Sequence, residues 1–319
     1  AGGRQKRQSY WGPKVVDSGK GNEDIEDNVG GGRGSFGITH TGSDMSISAT
    51  VTAMLQERAV TIKSESAMIS YEATRMVLTS DANGVDKFAV AHGESANERR
   101  ISVSINPFAQ GGLRNVYRMK QKFEQRKVAK ESRHDIKYNE RHKFHIETVK
   151  CQTQALLHAR YFNKRITNTE NKKKQGQQAY SLADVPYIDV LQAEVYRLKP
   201  PSGPGRFRYL AVENYLEGNY EKWNNNDGFV NHSDCIKCKV AQAFSHFSYE
   251  SSDQQKMVVD IQGSGNSNKC MYTDPQLHSV KKEFGRADRG TVGIGKFFAT
   301  HECNFICQEL GLPRRPGLL

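Results

Sequence analysis

The stretch KMVVDIQG, residues 256–263, decides how the rest of the chain is read. It is a short apolar run carrying one carboxylate and closed by a glycine, which reads as a buried strand stopped at Gly263. Side chains alternate faces along a strand, so Asp260 and Gln262 project one way while Val259 and Ile261 face a core. An acid and an amide side by side, followed by Gly263 and Gly265, form an oxygen shell suited to magnesium. Asp274, in YTDP (272–275), follows an irregular loop and adds a second carboxylate. The plain alternative is that Asp260 merely ends a strand and Asp274 merely opens a turn before Pro275.

Outward from this strand the pattern is mixed. NVYRMK (115–120) and RKVAK (126–130) alternate as two strands joined by a turn, approached by the glycine-rich FAQGGLRNVYR (108–118). Gly111 and Gly112 there would let backbone N–H groups approach phosphate, with Lys130 on the next strand supplying positive charge. Ile146, Val149, Leu156, Ala159 and Phe162 recur at helical spacing, so a helix over 146–165 is expected to lay one stripe on a core. Residues 191–198 and 207–216, the second carrying Glu213, flank KPPSGPG and read as a hairpin. VAQAFSHF (240–247) and the stretch 293–310 read as helices, and FGRADRG (284–290) is a glycine-framed loop without a dinucleotide fingerprint. Short β-prone pieces such as AVTI (59–62) and MVLT (76–79) lie upstream. Residues 1–48, rich in Gly, Ser, Asp and Asn, read as a flexible arm.

HECNFIC, residues 301–307, places His301, Cys303 and Cys307 where a turn into a helix can gather them. Zinc takes four N/S ligands in a tetrahedron, so one more is needed. Two sources compete: the CxxC of Cys235 and Cys238, and His246 in FSHF. Satisfied core imidazoles and ordinary buried thiols are the bland alternative.

Composition bounds the function. The 319 residues carry a net charge of +11, yet residues 114–174 hold 18 Lys/Arg against 6 Asp/Glu, so the remainder is nearly neutral. That basic field would attract phosphate, on nucleotide or nucleic acid, or be a solvated helix face, as befits the run Lys172–Lys174. Phe144, Tyr161 and Phe162 nearby fit a core-facing stripe better than base stacking. The hydrophobic fraction of 36% is low. No apolar run suits a bilayer or a signal peptide, so membrane insertion is not expected, and six uneven cysteines point to a reducing, cytoplasmic setting.

The order of parts matters more than any one of them. A glycine turn, strand lysine, helix, hairpin glutamate, strand-end Asp/Gln, second Asp, glycine loop and His/Cys cluster are what a two-lobed phosphotransferase needs, because phosphoryl transfer is positioning plus charge neutralisation. At this point the chain resembles the α-kinase family of atypical protein kinases, whose members include elongation-factor kinase, the myosin heavy chain kinases and channel-linked kinases. The resemblance rests on GGLRNVYR (111–118), VAK (128–130), AVENYLEGNYEKWNNNDGFV (211–230), AFSHFSYE (243–250), VVDIQG (258–263), YTDPQLHS (272–279), FGRADRG (284–290) and HECNFIC (301–307). The wording is nearest to elongation-factor kinase.

The resemblance implies an α+β, two-lobed protein kinase with a β-rich N-lobe (about 71–210), a zinc-stabilised C-lobe (about 211–313), a flexible region over 1–70 and a tail at 314–319. It implies ATP-dependent phosphorylation of Thr or Ser in a protein substrate. Gly111, Gly112, Arg114, Lys130, Glu213 (at the adenine side of the lobe junction), Gly285 and Gly290 would surround ATP. Asp260 would be the catalytic aspartate, assisted by Lys130 and Asp274, with Gln262 and Asp274 holding magnesium. His246, His301, Cys303 and Cys307 would be a structural zinc site, leaving Cys235 and Cys238 as spare thiols. Calmodulin is a further implied partner, although residues 1–70 show no clear basic amphipathic helix.

Three departures from the family pattern stand out. Four extra residues precede Asp274, Ala287 and Asp288 replace the usual Gly and Asn (Asp288 bringing negative charge toward a phosphate site), and 163–180 reads as a basic surface insertion. The competing functions are a zinc-stabilised nucleic-acid-binding protein using 114–174, ranked second because it leaves Asp260, Gln262 and Asp274 unexplained, and a catalytically silent ATP-binding scaffold.

Overall fold

The computed structural model describes residues 14–15, 67–80, 86–91, 99–121, 126–173 and 181–315. The arm, AVTI at 59–62 and any calmodulin-binding element within 1–66 lie outside these residues, apart from the short strand β1 (Lys14–Val15).

Alternation builds the first layer. In β4 (Arg99–Ser104) Ile101 and Val103 are buried, and in β6 (Arg114–Gln121) Tyr117 and Met119 point inward while Arg118 and Lys120 face water. With β1, β2 (Met68–Ser80), β3 (Asp86–Val90), β5 (Ala109–Gln110), β7 (Lys127–Ser132), β9 (Glu194–Leu198) and β10 (Arg208–Asn214), these strands form a nine-stranded antiparallel sheet. Its central pairings run β6–β4–β2–β9–β10–β7 and return to β6, closing a ring. Closure removes the open edges that a flat sheet would expose. Tyr71, Met119, Tyr196, Leu198, Leu210 and Val212 fill the interior. The expected hairpins β6–β7 and β9–β10 are both present.

The second layer is built on α1 (Tyr138–Lys173) and α2 (Ile236–Glu250). Phe162 of α1 packs edge-on against Phe244 and Phe247 of α2, with centroids 5.7 and 5.4 Å apart. Asn163 exchanges two hydrogen bonds with the Ile188 backbone, tying α1 to β8 (Tyr187–Val190). Around them lie a four-stranded sheet, β11 (Glu221–Lys222), β13 (Gln262–Gly265), β14 (Lys269–Tyr272) and β8, and a two-stranded pair, β12 (Lys256–Val259) with β15 (Gln276–Ser279). The short helices α3 (Gly290–Thr300) and α4 (Phe305–Glu309) close the chain. Packing does not follow sequence order: Cys151 to Val190, inside the segment assigned to the N-lobe, share a core with Trp223, Phe244 and Tyr272. Arg315, assigned to the tail beyond 313, is clamped on Glu250 through two hydrogen bonds.

Several expectations change. The run 256–263 is not one strand: Asp260 takes φ +60°, so β12 ends at Val259 and β13 starts at Gln262 in a different sheet. Gly263 does not stop the strand but lies within β13, where a Cβ would fall 2.1 Å from the Met271 carbonyl oxygen. The helix over 293–310 is broken at His301, whose extended backbone (ψ 125°) turns the chain back before Asn304 caps α4. The insertion at 163–180 is helical to Lys173, with Ile166 buried. Tyr161 is 58% exposed and leaves the core stripe.

Candidate functional site

The two layers face each other across a cleft of about 980 Å³. Gly111, Gly112, Arg114 and Lys130 line it from the sheet, Asp260, Gln262 and Asp274 from the opposite wall. The break at Asp260 is what lets its carboxyl, expected to point with Gln262 by strand alternation, enter the cleft instead of the β12 ladder. Gln262 Nε2 lies 3.3 Å from Asp260 Oδ2, so the two meet although the strand argument for it fails. The four residues added before Asp274 fall in and around the β13–β14 hairpin and leave Asp274 in the cleft.

Lys130 sits on β7 between Val116 and Ala211 of its neighbours. Its ammonium donates to Glu213 Oε2 (2.8 Å), Thr273 Oγ1 (3.0 Å) and Asp274 Oδ2 (2.9 Å), which uses all three of its protons. Burial would lower the Lys130 pKa, but Asp274 and Glu213 outweigh it and keep the ammonium charged. Arg114 donates to Asp274 Oδ1 (3.1 Å) and Thr148 Oγ1 (3.0 Å), its guanidinium over the Phe144 ring. Burial of Asp274 would favour its neutral form, yet Lys130 and Arg114 hold its pKa below the usual carboxylate range. Glu213, which lines the cleft, also accepts from Gln152 Nε2 (2.5 Å) and Thr273 Oγ1 (2.6 Å). Thr273, Gln152 and Thr148 were not singled out in the sequence. Thr273 stands beside the quoted acid in YTDP, whereas nothing local marks Gln152 or Thr148.

Asp260 behaves oppositely. Burial raises its pKa, only partly offset by Lys222, whose Nζ lies 2.6 Å from Oδ1. The turn that presents it is fastened by Asn224, fully buried: Oδ1 accepts the Ile261 N–H (2.8 Å), and Nδ2 donates to Gln242 Oε1 and Ser245 Oγ. Lys222 and Asn224 are absent from the sequence-based set, although both lie within the quoted AVENYLEGNYEKWNNNDGFV.

Gly285 and Gly290 do not line the cleft; Arg286, Ala287 and Arg289 of the same loop do. Asp288, expected to oppose phosphate, is instead spent inside the protein. Its carboxylate accepts from Ser279 N and Oγ, Phe284 N and Gly290 N.

His246, His301, Cys303 and Cys307 form a separate cluster, their ligand atoms all within 4.8 Å of one another. His301 Nε2 is 3.2 Å from His246 Nδ1, and each thiol lies 3.7 Å from one imidazole nitrogen. Tetrahedral bonds of about 2.0–2.3 Å put neighbouring ligand atoms about 3.3–3.8 Å apart, so the set fits a metal of zinc's preferences. Burial lowers the His246 pKa to about 4; burial, then the His246 ring, lowers that of His301 to about 3, leaving both nitrogens free to ligate at neutral pH. Cys235 and Cys238 are not among the four.

A sequence model of the Alpha-kinase family matches residues 109–307. The chain is 33% identical over 219 residues to alpha-protein kinase vwkA of Dictyostelium discoideum, covering 68% of this chain and 32% of that protein. It is 34% identical over 227 residues to eukaryotic elongation factor 2 kinase of Rattus norvegicus, covering 68% and 27%. The chain thus spans about a third or less of the length of these relatives. Among solved structures it is similar to the alpha-kinase domain of myosin-II heavy chain kinase A in complex with adenosine (25% identity, TM-score 0.57, 78% of this chain and 97% of that one). The AMP complex of that kinase's alpha-kinase domain matches at 25% identity and TM-score 0.56, covering 76% and 99%. The motifs that converge on the cleft fall within the matched region, and the chain belongs to the alpha-kinase family.

Proposed function

We propose that this chain is an ATP-dependent protein kinase domain that transfers the γ-phosphate of ATP to a Thr or Ser hydroxyl of a protein. The observation that carries the reading is the meeting of Lys130, Arg114, Asp274 and Asp260 in one cleft, fixed cations on one wall and two carboxylates with opposite pKa shifts on the other. Gly111 and Gly112 leave room for phosphate beside Arg114, and Lys130, oriented by Glu213, neutralises charge on the nucleotide. Asp260 aligns the acceptor hydroxyl and takes its proton as the bond from phosphorus to that oxygen forms and the bond to the ADP oxygen breaks. Its raised pKa suits it to hold that proton. Gln262 and Asp274 offer the hard oxygens that would hold magnesium, which supplies further charge neutralisation.

The His/Cys cluster is proposed as a closed zinc site with a structural role, since four protein ligands leave no open position. A reducing, cytoplasmic location accords with six free cysteines. No helix among the described residues is long and apolar enough to cross a membrane. The decisive test is incubation of the purified chain with labelled ATP, magnesium and a generic basic protein. Phosphate incorporation lost in Asp260→Ala is expected. Salt-sensitive nucleic-acid binding without ATP turnover would overturn the reading.

A further inference from the structure

Residues 235–238, Cys-Ile-Lys-Cys, belong to neither the cleft nor the metal-type cluster. Cys235 is the N-cap of α2, its Sγ accepting the Cys238 N–H at 3.2 Å. The two sulfurs stand 2.7 Å apart, so they already face each other at close range. Their surroundings differ: Cys235 is partly exposed, while Cys238 is 2% exposed. The positive end of a 15-residue helix favours a thiolate at its cap. Burial would raise the Cys235 pKa, but hydrogen bonds from the Cys238 thiol and backbone N–H outweigh it and hold it below the ordinary value. Burial, followed by the neighbouring Cys235, pushes Cys238 up to about 12. Burial also pushes Cys151 up to about 12 and Cys270 up to about 11, which leaves those two unreactive.

We propose that Cys235 and Cys238 form a redox-active dithiol that exchanges with a low-molecular-weight disulfide such as glutathione disulfide. The Cys235 thiolate attacks one sulfur of the reagent, forming a mixed disulfide and releasing one glutathione thiolate, which takes up a proton. Cys238 then gives up its proton and attacks Cys235 Sγ, closing the Cys235–Cys238 disulfide and releasing the second glutathione. Two electrons leave the protein sulfurs and reduce the reagent's disulfide to two thiols. The site adjoins the cleft through β11: Lys237, between the two cysteines, pairs with Glu221, and the next residue, Lys222, pairs with Asp260.

The test uses the full reduced chain exposed to glutathione disulfide, then alkylated and cleaved after glutamate. Cleavage after Glu221 and Glu250 yields a peptide holding Cys235 and Cys238 and no other cysteine. The expected result is loss of two hydrogens and of both alkylation sites in that peptide, reversed by dithiothreitol. Cys238→Ser should instead retain a glutathione adduct on Cys235, and Cys235→Ser, at the more exposed position, should show no disulfide even if the Cys238 variant fails to fold. A wild-type peptide that stays alkylated at both positions, or keeps a glutathione adduct, would overturn the proposal.

Discussion

Lys130 of β7 and Asp274, which follows β14, are 144 positions apart in sequence and meet at 2.9 Å, the ammonium of one wall of the cleft against the carboxylate of the other. With Glu213 and Thr273 as its other acceptors, Lys130 has no proton to spare. A bound phosphate must therefore displace one of these partners, and Asp274, also served by Arg114, is the one that keeps a cation when it is displaced.

Lys130→Met is expected to lower phosphotransfer by about 10²–10³, the scale of losing one fixed electrostatic stabiliser. It also leaves Glu213 buried without its cation, a loss of about 3–5 kcal/mol. Adding Glu213→Gln to Lys130→Met should recover part of that stability without recovering activity. Urea unfolding and initial rates on the single and double variants separate the two effects. Equal stability of the single and double variants would contradict the pairing.

The pH–rate profile should report Asp260. Its carboxylate is the form that accepts a proton, and burial raises its pKa, so activity falls as pH drops through that raised value. Lys222 opposes the rise, and Lys222→Met should move the acid limb to higher pH while the plateau rate changes little. An acid limb that does not move in this variant would mean that Asp260 is not the titrating base.

How much of this was legible in the sequence depends on the range of the interaction. The β6–β7 and β9–β10 hairpins and the α2 core were readable because alternation and helical spacing are local signals. The four metal-type ligands converge as the family resemblance implied, with His246 and not the CxxC as the fourth member. The break at Asp260 was not readable, since a positive φ at a non-glycine residue follows from Asn224 gripping Ile261 across 37 positions. Glu213 was visible as a motif residue, but its bond to Gln152 crosses 61 positions between a strand and a helix that no periodicity connects. Asp288, read as an added charge at a phosphate site, is instead hydrogen-bonded by backbone N–H groups that only the folded loop supplies.

Asn224→Ala removes the acceptor for the buried Ile261 N–H, which should cost about 1–3 kcal/mol. Because the Lys130–Glu213 pair is untouched, KM for ATP should hold while kcat falls. A matched fall in ATP affinity would show that the Asn224 network supports the whole cleft and not the Asp260 turn.

Acid should unfold the chain earlier than its carboxylates alone require. Burial lowers the pKa of His145, His158 and His278 to about 4. An unfolded histidine titrates near 6.5, so the unfolded state binds protons that the folded state refuses. Their contribution is whole above pH 6.5 and is lost as pH falls toward 4. Melting temperature should decline across that window, and His278→Asn, where the variant folds, should flatten part of the decline. A melting temperature constant from pH 6.5 to 4.5 would contradict this.

The His/Cys cluster gives the last test. The folded state gathers four donors that the unfolded chain cannot hold together, so the binding energy of a metal held there would add to folding free energy. Elemental analysis of the purified chain should find about one zinc per molecule, and a strong chelator should lower the melting temperature. Cys307→Ser should lose both metal and soluble yield, because it removes a buried donor of the proposed site beneath α2, whose other end carries Cys235 and Cys238. Cys235→Ser should keep its zinc, and that contrast assigns the metal to the four-residue set and not to the CxxC. A metal-free chain that folds and melts like the wild type would remove zinc from the account of this lobe.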